Sequence, residues 1–417
     1  MKTENVDVLI IGAGPSGSVA AAYLYKQGLN IKVVEKNRFP RFVIGESLIP
    51  RCMDHFEAVG LLECLEQQQF EIKRGARFIT GSGATCEFDF SEKHGEGWNW
   101  TWQVPRADFD MALTDELQRW GVPIYFEQEV VAVDFAEDGS SVTTIKDLEG
   151  NLSTVCAKYI IDSSGFGRVL PRLLDLEKPS DIPLHSTIFT HLKDLKRPKG
   201  QEGTMITFDV INTETWLWVI PFSNGTTSIG FVGPTDYLAS FEGTPTEKLQ
   251  SMMALSKYYF DRFDGVDYTF EPKIIKNFSK SVKQLYGKGY ALTGNSAEFL
   301  DPVFSSGVSF ATESAHLAAK LINREMQGGA VDWETEYTQY IMSGVNVFST
   351  YVKEWYTGNL QKIFFHSAVN LVIKEQICAV LAGYVWDNTN PFVKNHDRLV
   401  KTVAHIADME MDRAMGS

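Results

Sequence analysis

The sequence predicts an α/β protein in which a parallel sheet with flanking helices is joined to an antiparallel sheet and to a helical C-terminal part. Three observations support this class. First, an apolar strand, a glycine-rich turn, a helix and a second strand succeed one another between Asp7 and Glu35, which is a βαβ unit. Second, residues from about 180 to 280 contain short strands with Pro and Gly turns, a pattern typical of antiparallel sheet. Third, the pattern from about residue 330 onward is helical and rich in aromatic side chains.

The chain length of 417 residues allows two or three domains of about 150 residues each. We expect a discontinuous first domain with insertions, formed by residues 1–180 and 281–330. Residues 181–280 would form an antiparallel-sheet domain that holds a substrate, and residues 331–417 a helical C-terminal region.

Composition and charge exclude several classes of partner. A net charge of -14 argues against nucleic-acid binding, since nothing here would neutralise phosphates in bulk. The five cysteines are scattered and form no CxxC, and HExxH is absent, so the sequence predicts neither a disulfide framework nor a metal site. No apolar run approaches the roughly 18 residues that span a bilayer, and the first strand starts too early for a secretion signal. We therefore expect a cytoplasmic protein without a membrane span.

A glycine-rich turn follows the first strand and opens the first helix. Its residues are Gly12-Ala-Gly14-Pro-Ser16-Gly17, and Glu35 ends the next strand. In such a turn Gly12 allows the tight bend, Gly14 lets the backbone approach a pyrophosphate, and Gly17 permits close packing of helix on strand. Glu35 can accept hydrogen bonds from ribose hydroxyls. The pattern predicts a Rossmann-like dinucleotide site.

A second segment predicts an anion-binding position. An apolar strand runs into Gly294, and a small-residue loop led by Asp301-Pro302 feeds a helix from Gly307. Unpaired N–H groups and the helix dipole there favour negative charge, which the pyrimidine end of a flavin acquires on reduction. Together the two segments predict FAD as the cofactor. The predicted FAD contacts are Gly12, Gly14, Ser16, Gly17, Glu35, Lys36, Val130, Gly294, Asn295, Asp301, Pro302, Gly307 and Val308. The stretches Ile160-Ile-Asp162-Ser-Ser-Gly165 and Gln103-Val-Pro-Arg106 are similar to segments of FAD-binding hydroxylase-like proteins, which implies Asp162 and Arg106 as further contacts. The alternative for Arg106 is a charge at the start of a helix.

These segments together resemble the flavin-dependent halogenase branch of the FAD monooxygenase superfamily over about residues 5 to 310. Three stretches carry the resemblance: Gly45-Glu46-Ser47-Leu-Ile-Pro, Trp216-Leu-Trp218-Val-Ile-Pro and Asp301-Pro-Val-Phe-Ser-Ser-Gly-Val. Geranylgeranyl-reductase-like enzymes are similar to a lesser degree. The resemblance implies an enzyme in which reduced FAD, oxygen and halide yield hypohalous acid, which travels to an aromatic small molecule or a carrier-protein-bound substrate. A separate flavin reductase is a possible partner, since no second GxGxxG is present.

The resemblance also assigns roles to individual residues. Backbone N–H groups of Ser306 and Gly307 would hold the halide, and Trp216 and Trp218 would separate substrate from flavin. The alternative for the tryptophans is that they only fill the core between domains.

Two further residues are predicted to act in catalysis. Lys73 is the candidate for binding hypohalous acid, with Arg77 as its competitor in the alignment. An amine can act both as donor and as nucleophile, whereas a guanidinium is always charged. Glu46 would form polar bonds near the flavin, or else cap the following helix.

Two positions depart from the family pattern. Asn295 stands where the family usually has Asp, which removes a charge near the pyrophosphate, and Phe304 stands where tryptophan-acting members have a catalytic Glu. The second departure argues against indole halogenation by that route. Two other functions stay open: a double-bond-saturating flavin reductase, and a flavin-binding redox module without turnover.

Overall fold

The computed structural model describes residues 3–366 and 370–415. The strands in this part of the chain are β1 Thr3–Ile11, β2 Ile31–Val34, β3 Glu71–Lys73, β4 Gly75–Thr80, β5 Thr85–Asp89, β6 Thr101–Gln103, β7 Ile124–Tyr125, β8 Glu129–Phe135, β9 Ser141–Lys146, β10 Leu152–Asp162, β11 Glu177–Lys178, β12 His185–Lys193, β13 Thr207–Val210, β14 Trp216–Pro221, β15 Thr226–Pro234, β16 Lys273–Lys276, β17 Ser281–Val282, β18 Tyr286–Gly287 and β19 Tyr290–Leu292.

The helices over the same residues are α1 Pro15–Lys26, α2 Arg51–Val59, α3 Leu62–Glu66, α4 Arg106–Trp120, α5 Val169–Leu173, α6 Gln201–Thr204, α7 Thr235–Ala239, α8 Pro245–Met253, α9 Phe260–Phe263, α10 Gly307–Met326, α11 Tyr340–Tyr356, α12 Asn359–Phe365, α13 Leu371–Leu381, α14 Pro391–Lys394 and α15 His396–Met415. A π-helical turn, Glu334–Gln339, leads directly into α11.

The first sheet carries the predicted βαβ unit at its centre. Its strand order is β18-β19-β10-β1-β2-β7, with β9 and β8 attached beside β10. β1 pairs in parallel with both β2 and β10, so that Ile10 lies opposite Val33 on one side and Ile161 on the other. The continuous apolar run of β1 is explained by this central position, because helices cover both faces of such a strand. α1 and α10 pack together against this sheet.

The second sheet has the order β16-β12-β15-β14-β13-β4-β5. Most of its pairs are antiparallel, as predicted, but β13 and β4 are parallel, with Phe208 opposite Phe78. From the sequence we assigned this sheet to residues 181–280 alone. The structure corrects this assignment, because β4 and β5, from residues 75–89, belong to the same sheet. Pairing between segments more than 100 residues apart leaves no local signal in the sequence. The α/β class is confirmed, whereas the domain boundaries stay a prediction.

The C-terminal helices pack onto the second sheet. A single apolar core joins Phe78 of β4 and Trp216 of β14 to Trp355 of α11 and Phe364 of α12. Phe304, in the short segment before α10, lies 6.0 Å from the ring of Trp355. Helix α11 therefore lies directly behind the predicted flavin-end segment. Within residues 3–366 and 370–415, no helix has the length and apolar character needed to cross a bilayer.

Candidate functional site

A cavity of about 440 Å³ lies where the two sheets meet. One side is formed by the carboxyl ends of parallel strands, marked by Ile11, Val34 and Ser163, and the other by side chains of β13 and β14. Ligands of doubly wound sheets bind in this crevice beyond the strand ends.

The three glycines of the turn have different physical reasons to be glycine. Gly12 has φ +99°, and a Cβ there would lie 2.5 Å from the carbonyl oxygen of Ser163. A Cβ on Gly17 would lie 1.9 Å from the carbonyl oxygen of Gly12. A Cβ on Gly14, by contrast, would come no closer than 3.7 Å to its nearest neighbour, Arg41. The fold itself requires glycine at positions 12 and 17. At position 14 the protein leaves space for a side chain, so glycine is needed there only if a ligand in the cavity approaches the backbone closely.

Glu35 lines the cavity immediately after β2 and is held there by backbone groups. Its carboxylate accepts from the backbone N–H of Ala13 at 3.1 Å and from that of Asn37 at 2.9 Å. Beside it, Lys36 forms an ion pair with Glu129 at 2.7 Å, and Val130 completes this wall. A fixed acceptor at the end of the second strand suits a ribose hydroxyl.

Arg106 begins α4 and also lines the cavity. Its guanidinium donates to the carboxylate of Asp110 at 2.8 and 3.0 Å and to the carbonyl oxygens of Ile44 and Gly45 at 3.2 Å. Arg41 donates to the same carboxylate at 2.8 Å. The buried Asp110 thus fixes two cationic groups on the wall, of which only Arg106 was predicted from the sequence.

Three hydroxyl groups meet where α1 approaches the strand ends. Ser16 is within 2.8 Å of the Thr293 hydroxyl and donates to the Ser163 hydroxyl at 3.2 Å. The hydroxyls of Ser163 and Thr293 are 2.8 Å apart. All three residues line the cavity, yet only Ser16 was among the predicted contacts. A hydroxyl directly after each of two parallel strands was the available signal.

At the opposite end, the predicted flavin-end residues Asn295, Pro302, Gly307 and Val308 line the cavity. Helix α10 begins at Gly307, so its first N–H groups have no partner within the helix and point to this end. A Cβ on Gly307 would meet nothing closer than 3.7 Å, which repeats the situation at Gly14. These two glycines fit an extended dinucleotide that approaches the backbone at both ends.

Some predicted residues do not line the cavity. Gly17 packs against Gly12, Ser306 lies just outside the wall, and Gly294 donates its N–H to the Ser314 hydroxyl at 2.9 Å. Asp162 accepts from the backbone N–H of Ser164 and of Leu170, at 2.9 and 2.7 Å, and so orders the turn after β10. Burial raises the pKa of Asp162.

Asp301 is also outside the cavity wall. Its carboxylate accepts from the backbone N–H of Val303 at 2.9 Å, and burial raises its pKa to about 7. Asp162 and Asp301 therefore shape the segments around the cavity instead of facing into it.

Trp216 and Trp218 project from the same face of β14, and both line the cavity. Their ring centroids are 6.2 Å apart, and both side chains are buried in the apolar core shared with the C-terminal helices. The two rings therefore belong to the apolar core and also line the cavity, so filling the core and separating substrate from flavin are compatible roles.

Glu46 lies in the cavity wall and forms a pair with His191, which no sequence pattern predicted. The Nε2–H of His191 donates to Glu46 Oε1 at 2.5 Å. His191 comes from β12 and is packed edge-on against Phe222 and Phe270. The other oxygen of Glu46 is buried and has no hydrogen-bond partner among the described residues. A buried acceptor without a partner costs free energy, so Glu46 has bonding capacity left at this wall.

Lys73 does not line the cavity but lies directly behind Ser47, which does. Its amine donates to the Ser47 hydroxyl at 2.8 Å and to the Leu48 carbonyl at 2.7 Å, and the residue is 2% exposed. Burial lowers the pKa of Lys73 to about 7. Among the residues that the structure describes, no carboxylate pairs with this amine. Its competitor Arg77 instead pairs with Glu87 at 2.6 Å, away from the cavity.

The glycine turn, the strand-end acceptor and the helix N-terminus all border one cavity, and this arrangement defines a dinucleotide-binding flavoprotein. The described residues contain no group of three acidic, His or Cys side chains placed to hold a metal ion.

Comparison with known proteins agrees with this class. A family model described as an FAD binding domain matches residues 5–337. The 1H-pyrrole-2-carbonyl-[peptidyl-carrier protein] brominase of Pseudoalteromonas luteoviolacea is 29% identical over 392 residues, covering 92% of this chain and 93% of the relative. A flavoprotein/dehydrogenase from Cytophaga hutchinsonii has a crystal structure with a TM-score of 0.95 at 47% identity, covering 98% of this chain and all of that one. The flavin-dependent brominase Bmp2 gives a TM-score of 0.83 at 26% identity, covering 98% of this chain and 100% of that chain.

The chain therefore belongs to the FAD-binding-domain family, within its flavin-dependent halogenase group. It is an FAD-dependent oxidoreductase of the halogenase and monooxygenase type, and the predictions of FAD as cofactor and of this enzyme class are confirmed.

Proposed function

We propose that this protein halogenates an electron-rich aromatic ring, presented either as a free small molecule or on a carrier protein, and that Lys73 handles the oxidised halogen. Bound FAD, once reduced, supplies with oxygen and halide the hypohalous acid that this chemistry needs. The support on the substrate side comes from the relative named as acting on a pyrrole carried by a peptidyl-carrier protein.

The observation that carries the proposal is the burial of the Lys73 amine without a carboxylate partner. Burying a lysine amine normally destabilises the folded protein, so a buried lysine next to a cavity is a candidate for a functional residue. With a pKa lowered to about 7, a large fraction of this amine is neutral near neutral pH. A neutral amine can take the halogen from hypohalous acid and release water, and then pass the halogen to an aromatic carbon in exchange for a proton. The protonated amine can instead donate a hydrogen bond to the acid.

The other predicted residues have separate tasks in this proposal. Glu35, Arg106, Asn295 and the two accessible glycines, Gly14 and Gly307, hold the dinucleotide. The N–H groups of Ser306 and Gly307, at the start of α10, hold the halide at the flavin end. Trp216 and Trp218 keep the substrate away from the flavin, so that only the small oxidant passes. Ser47 lies between the cavity and Lys73, and the oxidant leaves the cavity past this residue.

The test is a product assay with purified protein, FAD, NADH, an added flavin reductase, oxygen and bromide. The substrates are a panel of phenols and pyrroles, both free and as pyrrolyl thioesters on a carrier protein. We expect mass spectra with the bromine isotope pattern for at least one substrate, and no product without bromide. Product formation without the added reductase would contradict the need for a separate reductase.

A second candidate function is a flavin-dependent dehydrogenase or reductase. It is favoured by one observation, the name flavoprotein/dehydrogenase given to the solved structure at 47% identity. Anaerobic conversion of an unsaturated substrate by the photoreduced holoprotein, with no bromine incorporated in the first assay, would support this candidate over the halogenase.

A further inference from the structure

A chain of hydrogen bonds links one wall of the cavity to the flavin-end segment through the C-terminal helices. The indole N–H of Trp216 donates to the Tyr356 hydroxyl at 3.2 Å. The Tyr356 hydroxyl donates to Asp301 Oδ2 at 2.9 Å. The other oxygen of Asp301 accepts from the backbone N–H of Val303, as described above. The side chains of Trp216, Tyr356 and Asp301, which form this chain of hydrogen bonds, are all buried.

The two ends of this chain of hydrogen bonds lie in segments that form different parts of the cavity wall and come from different regions of the sequence. Trp216 itself is part of the wall, and Asp301 begins the loop of residues 301–307, whose Pro302, Ser305 and Gly307 also line the cavity. Tyr356 is the last residue of α11 and does not line the cavity. It therefore touches both walls from behind, without being placed to meet a bound ligand.

The tyrosine ring is fixed independently of its hydroxyl. The His185 ring stacks on it with centroids 4.0 Å apart and an interplanar angle of 16°. His185 is itself oriented by donating from Nδ1 to the Pro183 carbonyl at 3.0 Å. Removing only the hydroxyl of Tyr356 would thus leave the ring packed in place.

We propose that Tyr356 is a positioning residue that couples the loop of residues 301–307 to Trp216 in the opposite part of the cavity wall. The position of this loop therefore depends on the position of Trp216, and the reverse. The flavin-binding role of the cavity is the only part of the proposed function on which this inference rests. Under this inference the C-terminal helices are part of the cofactor site's architecture, although none of their residues that the structure describes borders the cavity.

Two measurements on Tyr356→Phe test the coupling, and neither needs turnover. The first is the dissociation constant for FAD, measured by flavin fluorescence. Since coupling between sites typically changes affinity at least about fivefold, we expect Tyr356→Phe to bind FAD about fivefold more weakly or worse. The matched control is Tyr351→Phe, five residues earlier on the same helix, because the Tyr351 hydroxyl is buried and has no partner within the described residues. That control should bind FAD like the wild type.

The second measurement reads the chain directly in the protein without FAD. With ¹⁵N-labelled indoles, the Trp216 N–H resonance is identified by its loss in Trp216→Phe. Asp301→Asn, which does not contact Trp216, should shift this resonance in the wild-type background and leave it unmoved in the Tyr356→Phe background. A purely structural role for Tyr356 would not remove this communication.

Unchanged FAD affinity in Tyr356→Phe, or an Asp301→Asn shift that persists without the hydroxyl, overturns the inference. Should Tyr356→Phe fail to fold, Trp216→Phe replaces it in the FAD titration, since it removes the donor at the other end, and wild-type affinity there would equally contradict the coupling. Failure of the halogenase proposal looks different: FAD binding and the resonance shift stay intact while no substrate acquires bromine.

Discussion

At the scale of single residues, Gly14 separates the needs of the fold from the needs of the cofactor. We predict that Gly14→Val abolishes FAD binding and leaves the free energy of unfolding of the FAD-free protein within about 0.5 kcal/mol of wild type. The reason is that a Cβ there comes no closer than 3.7 Å to the protein but would occupy the space that we propose for the pyrophosphate. Flavin absorbance after gel filtration and urea unfolding measure the two quantities.

Gly17→Ala is the matched control for that experiment. Its Cβ would lie 1.9 Å from the Gly12 carbonyl oxygen, so it should destabilise the FAD-free protein by about 1–3 kcal/mol. Full flavin occupancy in Gly14→Val would show that the dinucleotide does not approach this turn.

A second residue-scale prediction concerns Lys73. Lys73→Ala should suppress brominated product by about a hundredfold or more, the range typical for loss of a proton-transfer or nucleophilic group, while FAD binding and oxygen consumption persist. The physical reason is that Ser47 separates the amine from the cavity, so that in the proposed reaction Lys73 acts after the flavin chemistry. Product yield by mass spectrometry and oxygen uptake by electrode are the measurements.

Arg77→Ala is the control, because Arg77 pairs with Glu87 outside the cavity and should be dispensable. Loss of product in that variant, with Lys73→Ala active, would assign the role to Arg77. Loss of oxygen uptake in Lys73→Ala would move Lys73 to the flavin itself.

At the scale of secondary-structure elements, helix α4 is attached to the cavity wall by one carboxylate. Asp110 is fully buried and accepts from both Arg106 and Arg41. We predict that Asp110→Ala lowers the free energy of unfolding by about 3–5 kcal/mol, because it leaves two buried or half-buried guanidinium groups without their counter-charge. Urea denaturation at pH 7 measures the loss.

Asp108→Ala, two residues earlier on the same helix, serves as the control, since Asp108 is exposed. A loss below about 1 kcal/mol in Asp110→Ala would show that the guanidinium groups find other partners.

At the scale of the whole molecule, the buried amine of Lys73 makes stability depend on pH. Its pKa in the folded protein, about 7, lies below the ordinary value of 10.5, so the unfolded chain binds the proton more strongly. The contribution of Lys73 to stability therefore falls as the pH decreases from about 10.5 to about 7 and is constant below that range. We predict that Lys73→Met raises the free energy of unfolding at pH 7 by at least about 1 kcal/mol, since one pKa unit corresponds to about 1.4 kcal/mol.

The difference in the free energy of unfolding between Lys73→Met and wild type should shrink as the pH rises from 7 to about 9.5. Chemical denaturation at each pH measures this difference. Arg77→Met should show no such trend, because a guanidinium stays charged throughout. An advantage of Lys73→Met that is the same at both ends of the range would mean that the amine does not titrate there.

The sequence by itself determined the parts of this protein that depend on neighbouring residues. The βαβ unit and the glycine turn follow from local periodicity and from backbone conformations that only glycine adopts easily. The α/β class, FAD and the halogenase resemblance followed from these local patterns. The order of motifs along the chain was sufficient for them, because each motif lies within a short contiguous stretch of residues.

Only the tertiary structure decided which side chains face the cavity and which act from behind it. It turned Asp162 and Asp301 toward backbone N–H groups, paired Glu46 with His191, and brought Tyr356 to Asp301. It also placed β4 beside β13. The pairs Glu46–His191 and Tyr356–Asp301 lie 145 and 55 positions apart in the chain, and β4 and β13 are also distant in sequence, so no local spacing encodes these contacts. They form because burying apolar side chains between the two sheets and the C-terminal helices fixes where each polar group must find a partner.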